Sequence, residues 1–322
     1  MRVLVTGGAG YIGAHTVQLL AARGDEVVVL DNLGSGKIER IGSTPLVNLN
    51  LSTATVEDVE AALREHAIDA VIHFAAHKQV GESVAKPAMY YADNVGSIAK
   101  LVMAMENAGV HKLVFSSSAA VYGNASGAIT EAAPAEPISP YGATKLIGEQ
   151  ILSAAAQAWA LRAASLRYFN VGGAGDAKLA DSVALNLIPI CLDHIAADTA
   201  PVIFGDDYDT PDGTCVRDYV HVVDVAEAHL AVLDALPEEP GNVILNVGTG
   251  VGTSVRQMVD ALLAVSGSAL TADVQPRRAG DPAAIVGDVT AIKEFAGWSA
   301  RFSVDDIVNS AWQARQPAEA QS

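Results

Sequence analysis

Short apolar runs alternate with stretches of helical periodicity through the first half of the chain. Apolar residues dominate the runs 2–6, 26–30, 45–51, 69–74, 112–115 and 163–167, and each run predicts a buried strand. Between them, apolar positions recur at helical spacing, notably over 56–66, over 87–108 and from Tyr141 onward. Regular alternation of strands and helices indicates a parallel sheet covered on both faces. The pattern therefore predicts an α/β fold with a doubly wound, Rossmann-like parallel sheet.

The alternation breaks down beyond residue 171, where glycines, scattered prolines and acidic loops become frequent. We expect a first domain of residues 1–170, which carries the parallel sheet, and a smaller C-terminal region of residues 171–219 and 248–315. Helical periodicity over 223–236 and an apolar run over 243–247 predict that residues 220–247 return to the first domain. Another helix is predicted over 253–265, and residues 316–322 are expected to form a solvated tail.

The first predicted strand runs directly into a glycine-rich turn and a helix. Gly7, Gly10 and Gly13 are spaced Gly-x-x-Gly-x-x-Gly, one residue wider than the common dinucleotide fingerprint. Such a turn lets backbone N–H groups and the helix dipole bind a phosphate. Asp31 ends the second strand, where a carboxylate can accept hydrogen bonds from a ribose and repel a 2′-phosphate. The alternative is a glycine turn that binds no ligand, but the strand, turn, helix, second strand and acid all occur in the order of a dinucleotide site, and Asp31 favours NAD over NADP. Residues 1–170 are therefore expected to form an NAD-binding domain and the smaller C-terminal region to bind the substrate.

Polar residues follow the predicted strands at the edge where parallel sheets bind ligands. Lys78 follows the fourth strand and Ser118 the fifth, although a serine there can equally serve as a helix cap. Tyr141 and Lys145 are four residues apart, so both side chains project from one face of the next helix. A nearby ammonium favours the phenolate form and would lower the pKa of the tyrosine. The pair is therefore predicted to accept a proton from an alcohol.

Composition narrows the range of partners. Half of the 322 residues are hydrophobic and 18% are charged, which is typical of a globular protein. With 20 basic and 37 acidic residues, the formal charge of −17 repels nucleic acid and anionic membranes. Cys191 and Cys215 form no metal or redox motif, so we expect reduced, buried thiols and no metal. With no apparent signal peptide or membrane span, the protein is expected to be soluble and cytoplasmic.

Three arginines stand out in the acidic second half: Arg217, Arg277 and Arg278. A guanidinium group suits a diphosphate, so Arg217 is a candidate clamp. The alternative is a salt bridge to its neighbour Asp218. His73 and His221 adjoin apolar segments and are predicted to be structural.

These motifs together resemble the extended short-chain dehydrogenase/reductase family, and within it the enzymes that epimerise UDP-hexoses at C4. The resemblance covers residues 1 to about 315. It is carried by Thr6-Gly7-Gly8-Ala9-Gly10-Tyr11-Ile12-Gly13, Leu30-Asp31-Asn32-Leu33, Val71-Ile72-His73-Phe74-Ala75-Ala76, Lys78-Gln79-Val80-Gly81-Glu82-Ser83, Phe115-Ser116-Ser117-Ser118-Ala119-Ala120-Val121-Tyr122-Gly123, Ser139-Pro140-Tyr141-Gly142, Arg167-Tyr168-Phe169-Asn170, Ile203-Phe204-Gly205, Arg217-Asp218-Tyr219-Val220-His221 and Arg277-Arg278-Ala279-Gly280-Asp281.

The resemblance implies an isomerase that keeps NAD bound and passes through a 4-keto sugar. Tyr141 would take the proton from the sugar 4-hydroxyl, its pKa lowered by Lys145 and the nicotinamide cation, while Ser118 hydrogen-bonds the same oxygen. The implied cofactor contacts are Gly7, Gly10, Tyr11, Ile12, Gly13, Asp31, Asn32, Leu33, Ser35, Asn50, Leu51, Phe74, Ala75, Ala76, Lys78, Asn94, Tyr141, Lys145 and Phe169. The implied substrate contacts are Ser118, Tyr141, Asn170, Asn186, Leu187, Phe204, Arg217, Tyr219, Arg278, Asp281 and Ile285.

Three positions depart from the family pattern. Asn50 stands where relatives often have an acid, so its contact with adenine is in question. Asn170-Val171-Gly172-Gly173 replaces the usual Asn-Pro-Val-Gly. Ile285 occupies a place often held by tyrosine, beside the expected hexose. The smaller side chain predicts that UDP-N-acetylglucosamine and UDP-N-acetylgalactosamine are also accepted.

Two other functions are compatible with such a fold. A nucleotide-sugar 4,6-dehydratase needs an added acid/base pair, which relatives place as Asp-Glu after the serine, whereas Ala119-Ala120 follow Ser118 here. A non-catalytic NAD-sensing protein would have no need of Tyr141, Lys145 and Ser118 together. The resemblance also implies a homodimer formed through the helices at 87–108 and 141–158.

Overall fold

Seven parallel strands make up the larger of the sheets in this protein, whose computed structural model describes residues 1–181, 183–278 and 280–316. The strands are Arg2–Thr6 (β1), Glu26–Asp31 (β2), Leu46–Asn48 (β3), Ala70–His73 (β4), Lys112–Ser116 (β5), Gly127–Ile129 (β6), Arg162–Tyr168 (β7), Asn170–Gly172 (β8), Val202–Phe204 (β9), Val216–His221 (β10), Gly241–Val247 (β11), Gly252–Ser254 (β12), Asp273–Gln275 (β13) and Ala284–Gly287 (β14).

The helices lie between and beyond these strands. They are Tyr11–Arg23 (α1), Val56–Glu65 (α2), Val80–Ala85 (α3), Pro87–Tyr90 (α4), Gly96–Ala108 (α5), Pro140–Ala158 (α6), Leu187–Ala196 (α7), Val222–Ala235 (α8), Val255–Ser266 (α9), Thr290–Ala296 (α10) and Val304–Gln313 (α11). Short 3₁₀ turns occur at Ile38–Arg40, Ala119–Tyr122 and Ala177–Leu179. Among the described residues, no helix has both the length and the apolar character needed to cross a membrane.

The order of strands in the larger sheet is β11-β7-β5-β4-β1-β2-β3. The chain builds outward from β1 to β3, then crosses back to place β4 on the other side of β1. In a doubly wound sheet, this reversal opens a crevice at the carboxyl ends of the two central strands. The predicted fold class is thereby confirmed, and the crevice lies where β1 meets the glycine turn.

Alternating strand residues supply two apolar layers, as expected when both faces of a parallel sheet are covered. Val3 and Val5 face a layer that includes α1, α8 and α10. Leu4 faces the opposite layer, which includes α2, α5 and α6. At about 25 cal/mol for each Å² of apolar surface removed from water, these layers are the main source of stability.

A second sheet of five strands carries most of the other half. Its order is β12-β10-β14-β6, and β8 pairs with β10 outside this path. The apolar residues of α7, α9 and α11 pack together with Ile203 and Tyr219 beside it. A separate pair, β13 with β9, completes this part of the molecule.

Two predicted elements are shorter or less regular than expected. The strand predicted over 45–51 is limited to β3, because the side-chain oxygen of Asn50 accepts hydrogen bonds from the backbone nitrogen and hydroxyl of Ser52 and starts a turn. The helix predicted over 87–108 contains a π turn at Tyr91–Val95, between α4 and α5. Such turns often occur at functional sites.

Strand pairing joins parts of the chain on both sides of residue 170. Strand β6 comes from the range 1–170, yet it pairs with β14 in the second sheet. Strand β11 lies in the range 220–247, which is predicted to return to the first domain, and it pairs with β7 in the first sheet. The boundary at residue 170 is therefore not a clean division of the chain. Of the predicted tail, residues 317–322 lie outside the described residues.

Candidate active site

Tyr141 lies in the first turn of α6, at the edge of the sheet where β5 ends. Ser139 caps this helix by accepting a hydrogen bond from the backbone nitrogen of Gly142 at 3.1 Å, and Pro140 is well suited to the first helical position. A Cβ on Gly142 would lie 2.5 Å from the carbonyl oxygen of Ala120. Glycine at this position therefore allows the start of α6 to approach the segment after Ser118.

Ser118 occupies the turn directly after β5. Its hydroxyl accepts a hydrogen bond from the backbone nitrogen of Ala120 at 3.1 Å and so caps the turn at Ala119–Tyr122. The same side chain lies close enough to Tyr141 to lower the pKa of its phenol. Ser118 therefore caps the turn, which is one of the two roles considered from the sequence, and it also lies beside Tyr141.

Lys145 lies one helical turn after Tyr141, and its side chain is buried. Its ammonium donates a hydrogen bond to the carbonyl oxygen of Ser116 at 2.8 Å. It lies 5.0 Å from the centre of the Phe115 ring and 5.9 Å from that of Tyr141. The expected proximity of tyrosine and lysine is present, with the lysine anchored to the end of β5.

The expected lowering of the tyrosine pKa is wrong for the protein chain itself. Burial raises the pKa of Tyr141, and the hydrogen bond from Ser118 opposes this only in part. Burial also lowers the pKa of Lys145 to about 7, against the effect of the Glu149 charge. Both shifts have one cause, because a low-dielectric site disfavours phenolate and ammonium alike.

The glycine turn forms a cradle made of backbone groups. Gly7 has a φ of 69°, and a Cβ there would lie 2.7 Å from the backbone nitrogen of Ala75, across the crevice. A Cβ on Gly13 would lie 2.3 Å from the carbonyl oxygen of Gly7. Helix α1 begins without a side-chain cap and without an acid in its first turn. Its N-terminus therefore presents positive backbone groups, as a pyrophosphate requires.

Asp31 joins this cradle to the end of β2. Its carboxylate accepts hydrogen bonds from the backbone nitrogen of Ala9 at 3.0 Å and of Leu33 at 2.8 Å. Each carboxylate oxygen retains a second lone pair for a ligand hydroxyl. Asn32 and Ser35 are exposed on the same loop. These residues fit the adenosine half of a dinucleotide.

The remaining predicted cofactor contacts have varied surroundings. The phenol of Tyr11 donates to the carbonyl oxygen of Gly173 at 2.5 Å, so only its backbone faces the cradle. The side chain of Asn94, in the π turn, is bonded to the backbone of His77 and to the Thr144 hydroxyl. Ile12, Phe74 and Ala75 are half-buried, Leu51 and Phe169 are buried, and Ala76 and Lys78 are exposed.

The predicted substrate contacts cluster around β10 and β14. Arg217 on β10 pairs with Ile285 on β14. Its guanidinium donates to the carbonyl oxygens of Val216 and Pro282, both at 2.9 Å, and lies 3.6 Å from the Asp281 carboxylate. The alternative pairing of Arg217 with Asp218 is wrong, because Asp218 is engaged elsewhere.

Asp218 binds the segment after β11. Its carboxylate accepts hydrogen bonds from the backbone of Thr249 and Gly250 and from that of Gly287. Because the Asp218 carboxylate is occupied in this way, the acidic neighbour of the Arg217 guanidinium is Asp281.

Arg278 lies beside this group, with its guanidinium carbon 3.8 Å from the centre of the Phe204 ring. Its neighbour Arg277 is bonded to the carboxylate of Asp207. Tyr219 is buried and lies opposite Asn170 in the pairing of β10 with β8. Asn186 is exposed at the start of α7 and is followed by Leu187. His73 bonds to the Thr6 hydroxyl and His221 to that of Ser310, in agreement with structural roles.

Ile285 connects the two halves of the site. It packs on an apolar cluster that contains Val121, Tyr122, Ile129 and Phe169. Val121 and Tyr122 belong to the 3₁₀ turn that Ser118 caps. Ile285 therefore lies between the turn that follows Ser118 and Arg217 of the second sheet.

Sequence reasoning missed one charged group next to this site. Glu149 is buried on α6, one turn after Lys145, and binds Arg167 through two hydrogen bonds. Its signal was the four-residue spacing that links Tyr141, Lys145 and Glu149.

Comparison with known proteins agrees with this geometry. Residues 3–248 match the NAD dependent epimerase/dehydratase family. A UDP-glucose 4-epimerase of Azospirillum brasilense is 45% identical over 96% of this chain and 90% of its own length.

Two solved structures extend the comparison to the whole fold. A UDP-glucose 4-epimerase from Stenotrophomonas maltophila, with bound NAD and formylated UDP-arabinopyranose, has a TM-score of 0.93 at 39% identity, over 100% of both chains. The UDP-Glc/GlcNAc 4-epimerase of Campylobacter jejuni has a TM-score of 0.86 at 37% identity, over 100% of this chain and 99% of its own. The chain belongs to the NAD dependent epimerase/dehydratase family.

Proposed function

We propose that this protein is an isomerase that epimerises UDP-glucose and UDP-galactose at C4 with tightly bound NAD. The observation that carries the proposal is the buried Tyr141 phenol beside Ser118, with the Lys145 ammonium 5.9 Å from its ring and anchored at the end of β5. The names of the similar proteins support the same reaction.

NAD fits the residues at the crevice. The backbone cradle between Gly7 and Gly13 would hold the pyrophosphate, and Asp31 would accept hydrogen bonds from the adenosine ribose. When bound, NAD supplies the nicotinamide ring that takes a hydride from C4 of the sugar and returns it. Asp31 would also repel a 2′-phosphate, which favours NAD over NADP.

Tyr141 is proposed to move the proton of the sugar 4-hydroxyl. Its phenolate accepts this proton as the C4 carbon is oxidised and returns it after reduction of the 4-keto intermediate. Because burial raises the pKa of Tyr141, the hydrogen bond from Ser118 and the charge of Lys145 have to favour the phenolate. Ser118 also binds the oxygen that loses the proton.

The diphosphate of the substrate is assigned to the arginines of the second half. Arg278 has its guanidinium exposed above Phe204, and Arg217 is held by backbone carbonyls close to Asp281. Planar guanidinium groups bind phosphate oxygens in pairs. A tether of this kind would let the 4-keto sugar turn so that either face of C4 receives the hydride.

The substrate range is proposed to include UDP-N-acetylglucosamine and UDP-N-acetylgalactosamine. Ile285 packs between the catalytic edge and Arg217. Isoleucine is shorter than tyrosine, so less bulk would oppose a 2-acetamido group.

The two alternative functions are less well supported. A 4,6-dehydratase needs an acid/base pair after the serine, but Ala119 and Ala120 form the turn there. A non-catalytic NAD-sensing protein would not require the buried contact of Ser118 with Tyr141. We further propose a cytoplasmic homodimer, formed through α4, α5 and α6, as the sequence resemblance implies.

The proposal is tested by incubating the purified protein separately with UDP-galactose and UDP-N-acetylgalactosamine and identifying the products by NMR. The expected products are UDP-glucose and UDP-N-acetylglucosamine. Loss of the 6-hydroxyl would instead identify a dehydratase. A protein that carries NAD but changes neither nucleotide sugar would favour the NAD-sensing alternative.

A further inference from the structure

Three consecutive serines at the end of β5 contact three residues on one face of α6. The carbonyl oxygen of Ser116 accepts a hydrogen bond from Lys145 at 2.8 Å, and the Ser118 side chain lies beside Tyr141 and lowers the pKa of its phenol. Between them, the hydroxyl of Ser117 donates to the Glu149 carboxylate at 2.5 Å. Glu149 therefore completes a set of contacts whose other two members are the proposed catalytic groups.

Glu149 is held rigidly in the interior, where its side chain is 4% exposed. Arg167 on β7 donates to both carboxylate oxygens, at 2.9 Å from Nε and 2.6 Å from Nη2. Burial alone would lower the pKa of Arg167, but its hydrogen bonds and charge interaction with Glu149 raise it. This bidentate geometry fixes a negative charge one helical turn from Lys145.

The other groups around Lys145 do not supply such a charge. Its own helix offers Tyr141, and β5 offers the Phe115 ring and the Ser116 carbonyl. The titratable and charged side chains of the neighbouring strands and helices include His73 from β4, whose pKa the charge of Lys145 lowers. Others near Tyr141 or Ser116 are Tyr90 from α4, Tyr168 from β7 and His229 from α8, and Arg167 from β7 binds Glu149. All of these are neutral or positive when Tyr141 is a phenol. In these surroundings, the ammonium form of Lys145 therefore depends on a nearby carboxylate for its stabilisation.

We propose that Glu149 is a positioning residue whose buried carboxylate favours the ammonium form of Lys145 beneath Tyr141. Arg167 and Ser117 orient the carboxylate, and Glu149 itself touches no reacting atom. The inference rests on the proposed epimerase function for its catalytic consequence, but the charge of Lys145 can be measured without any sugar. In agreement with this role, Glu149 opposes the effect of burial that lowers the pKa of Lys145 to about 7.

The test is Glu149→Gln, with the titration of Lys145 followed by NMR of protein labelled at lysine Cε. The Lys145 signal is assigned by its loss in Lys145→Met. Removing a nearby opposite charge is expected to lower the pKa of Lys145 by about one pH unit. The alkaline limb of the pH profile of kcat is expected to move by the same amount, with KM for the nucleotide sugar little changed. A purely structural role would lower kcat at every pH and leave the limb in place.

The matched control is Glu131→Gln. Glu131 also accepts a hydrogen bond inside the protein, from the backbone nitrogen of Asn246 at 2.7 Å, but it has no contact with the serines or with Lys145. The Lys145 titration is expected to be unchanged in this variant.

Glu149→Gln leaves Arg167 buried without its counter-charge, which can cost several kcal/mol and prevent folding. The double variant Glu149→Gln with Arg167→Met removes both charges, and the pKa of Lys145 is expected to fall in it as well, by less than in the single variant. A folded single or double variant in which Lys145 titrates as in the wild type would overturn the proposal. Absence of epimerase activity in the wild type would refute the proposed function instead and would leave the titration result intact.

Discussion

Lys145 donates a hydrogen bond to the carbonyl oxygen of Ser116, the last residue of β5, at 2.8 Å. The lysine is thus joined to the sheet, and the Tyr141 ring lies 5.9 Å from its ammonium. A lysine held in this way has little freedom to follow a ligand. Its position under the tyrosine is a property of the fold itself.

The first prediction concerns Tyr141 as the base. Tyr141→Phe is expected to retain the fold and NAD binding but to lower kcat by about 10²- to 10⁴-fold, the usual contribution of general acid–base catalysis. Steady-state epimerisation assays measure the loss. Tyr91→Phe, at a tyrosine that is 40% exposed, is the matched control and should be fully active. Retention of a third or more of wild-type kcat in Tyr141→Phe would refute the assigned role.

The second prediction concerns the pH dependence of stability. Lysine in the unfolded chain titrates near pH 10.4, whereas burial lowers the pKa of Lys145 to about 7. Between about pH 7 and pH 10.4, the unfolded state therefore binds one more proton at this lysine than the folded state does. The penalty for burying the ammonium is complete below pH 7 and is relieved as the pH rises. The free energy of unfolding should increase by up to about 1.4 kcal/mol per pH unit through this group.

Urea unfolding of the cofactor-free protein at pH 7.5 and 9.0 measures that slope. Lys145→Met should remove the contribution of Lys145, and Lys86→Met, at a side chain that is 60% exposed, should leave it unchanged. An identical slope in Lys145→Met and wild type would contradict the lowered pKa.

The third prediction concerns the choice of cofactor. Asp31→Ala is expected to weaken NAD binding and to reduce discrimination against NADP, because it removes both an acceptor and a negative charge. Cofactor extracted from wild-type protein should be mainly NAD. Glu65→Ala, which removes an exposed acid at the end of α2, is the control and should retain the preference. Mainly NADP in the wild type, or unchanged discrimination in Asp31→Ala, would argue against this role.

The fourth prediction separates two adjacent arginines. Arg278→Met is expected to raise KM for the nucleotide sugar by about 10- to 100-fold, the effect of losing one charged hydrogen-bonding group. Arg277→Met should have a much smaller effect, because Arg277 already binds Asp207. Equal changes in KM for the two variants would remove the reason to assign the diphosphate to Arg278.

The fifth prediction concerns substrate range. Ile285→Tyr is expected to suppress turnover of UDP-N-acetylhexosamines far more than that of UDP-glucose, because the ring would restore bulk beside the sugar. Ile285→Val, a smaller change at the same position, should keep both activities. An equal loss on both substrates, or no N-acetylhexosamine turnover by the wild type, would reduce Ile285 to a packing residue.

Much of the first half was predictable because its strands are buried on both faces and its ligand turn has few chemical solutions. The glycines from Gly7 to Gly13 and the acid at Asp31 occur in the order that the fold requires. The second half was harder, because its short strands β6, β12 and β14 pair across long stretches of chain and carry no local periodicity. Contacts of that kind depend on tertiary packing.

The candidate active site could likewise be predicted only in part from the sequence. The spacing of Tyr141 and Lys145 correctly predicted that they share one face of the helix. The direction in which the pKa of Tyr141 shifts depends on burial, which no local sequence pattern reveals. Nothing in the sequence distinguishes Glu149 from an exposed helical glutamate, because its partners Arg167 and Ser117 lie on other segments. Its importance comes from three separate segments that meet in the interior.

The reciprocal exchange of β6 and β11 has a consequence for making the halves separately. A gene cut at residue 170 would produce an N-terminal piece whose sheet has lost β11 and a C-terminal piece whose sheet has lost β6. Each piece would expose an unpaired strand edge that in the whole chain is covered by the other, and such edges promote aggregation. Neither piece should give the near-ultraviolet circular dichroism of a packed protein when expressed alone, whereas co-expression of both could restore it.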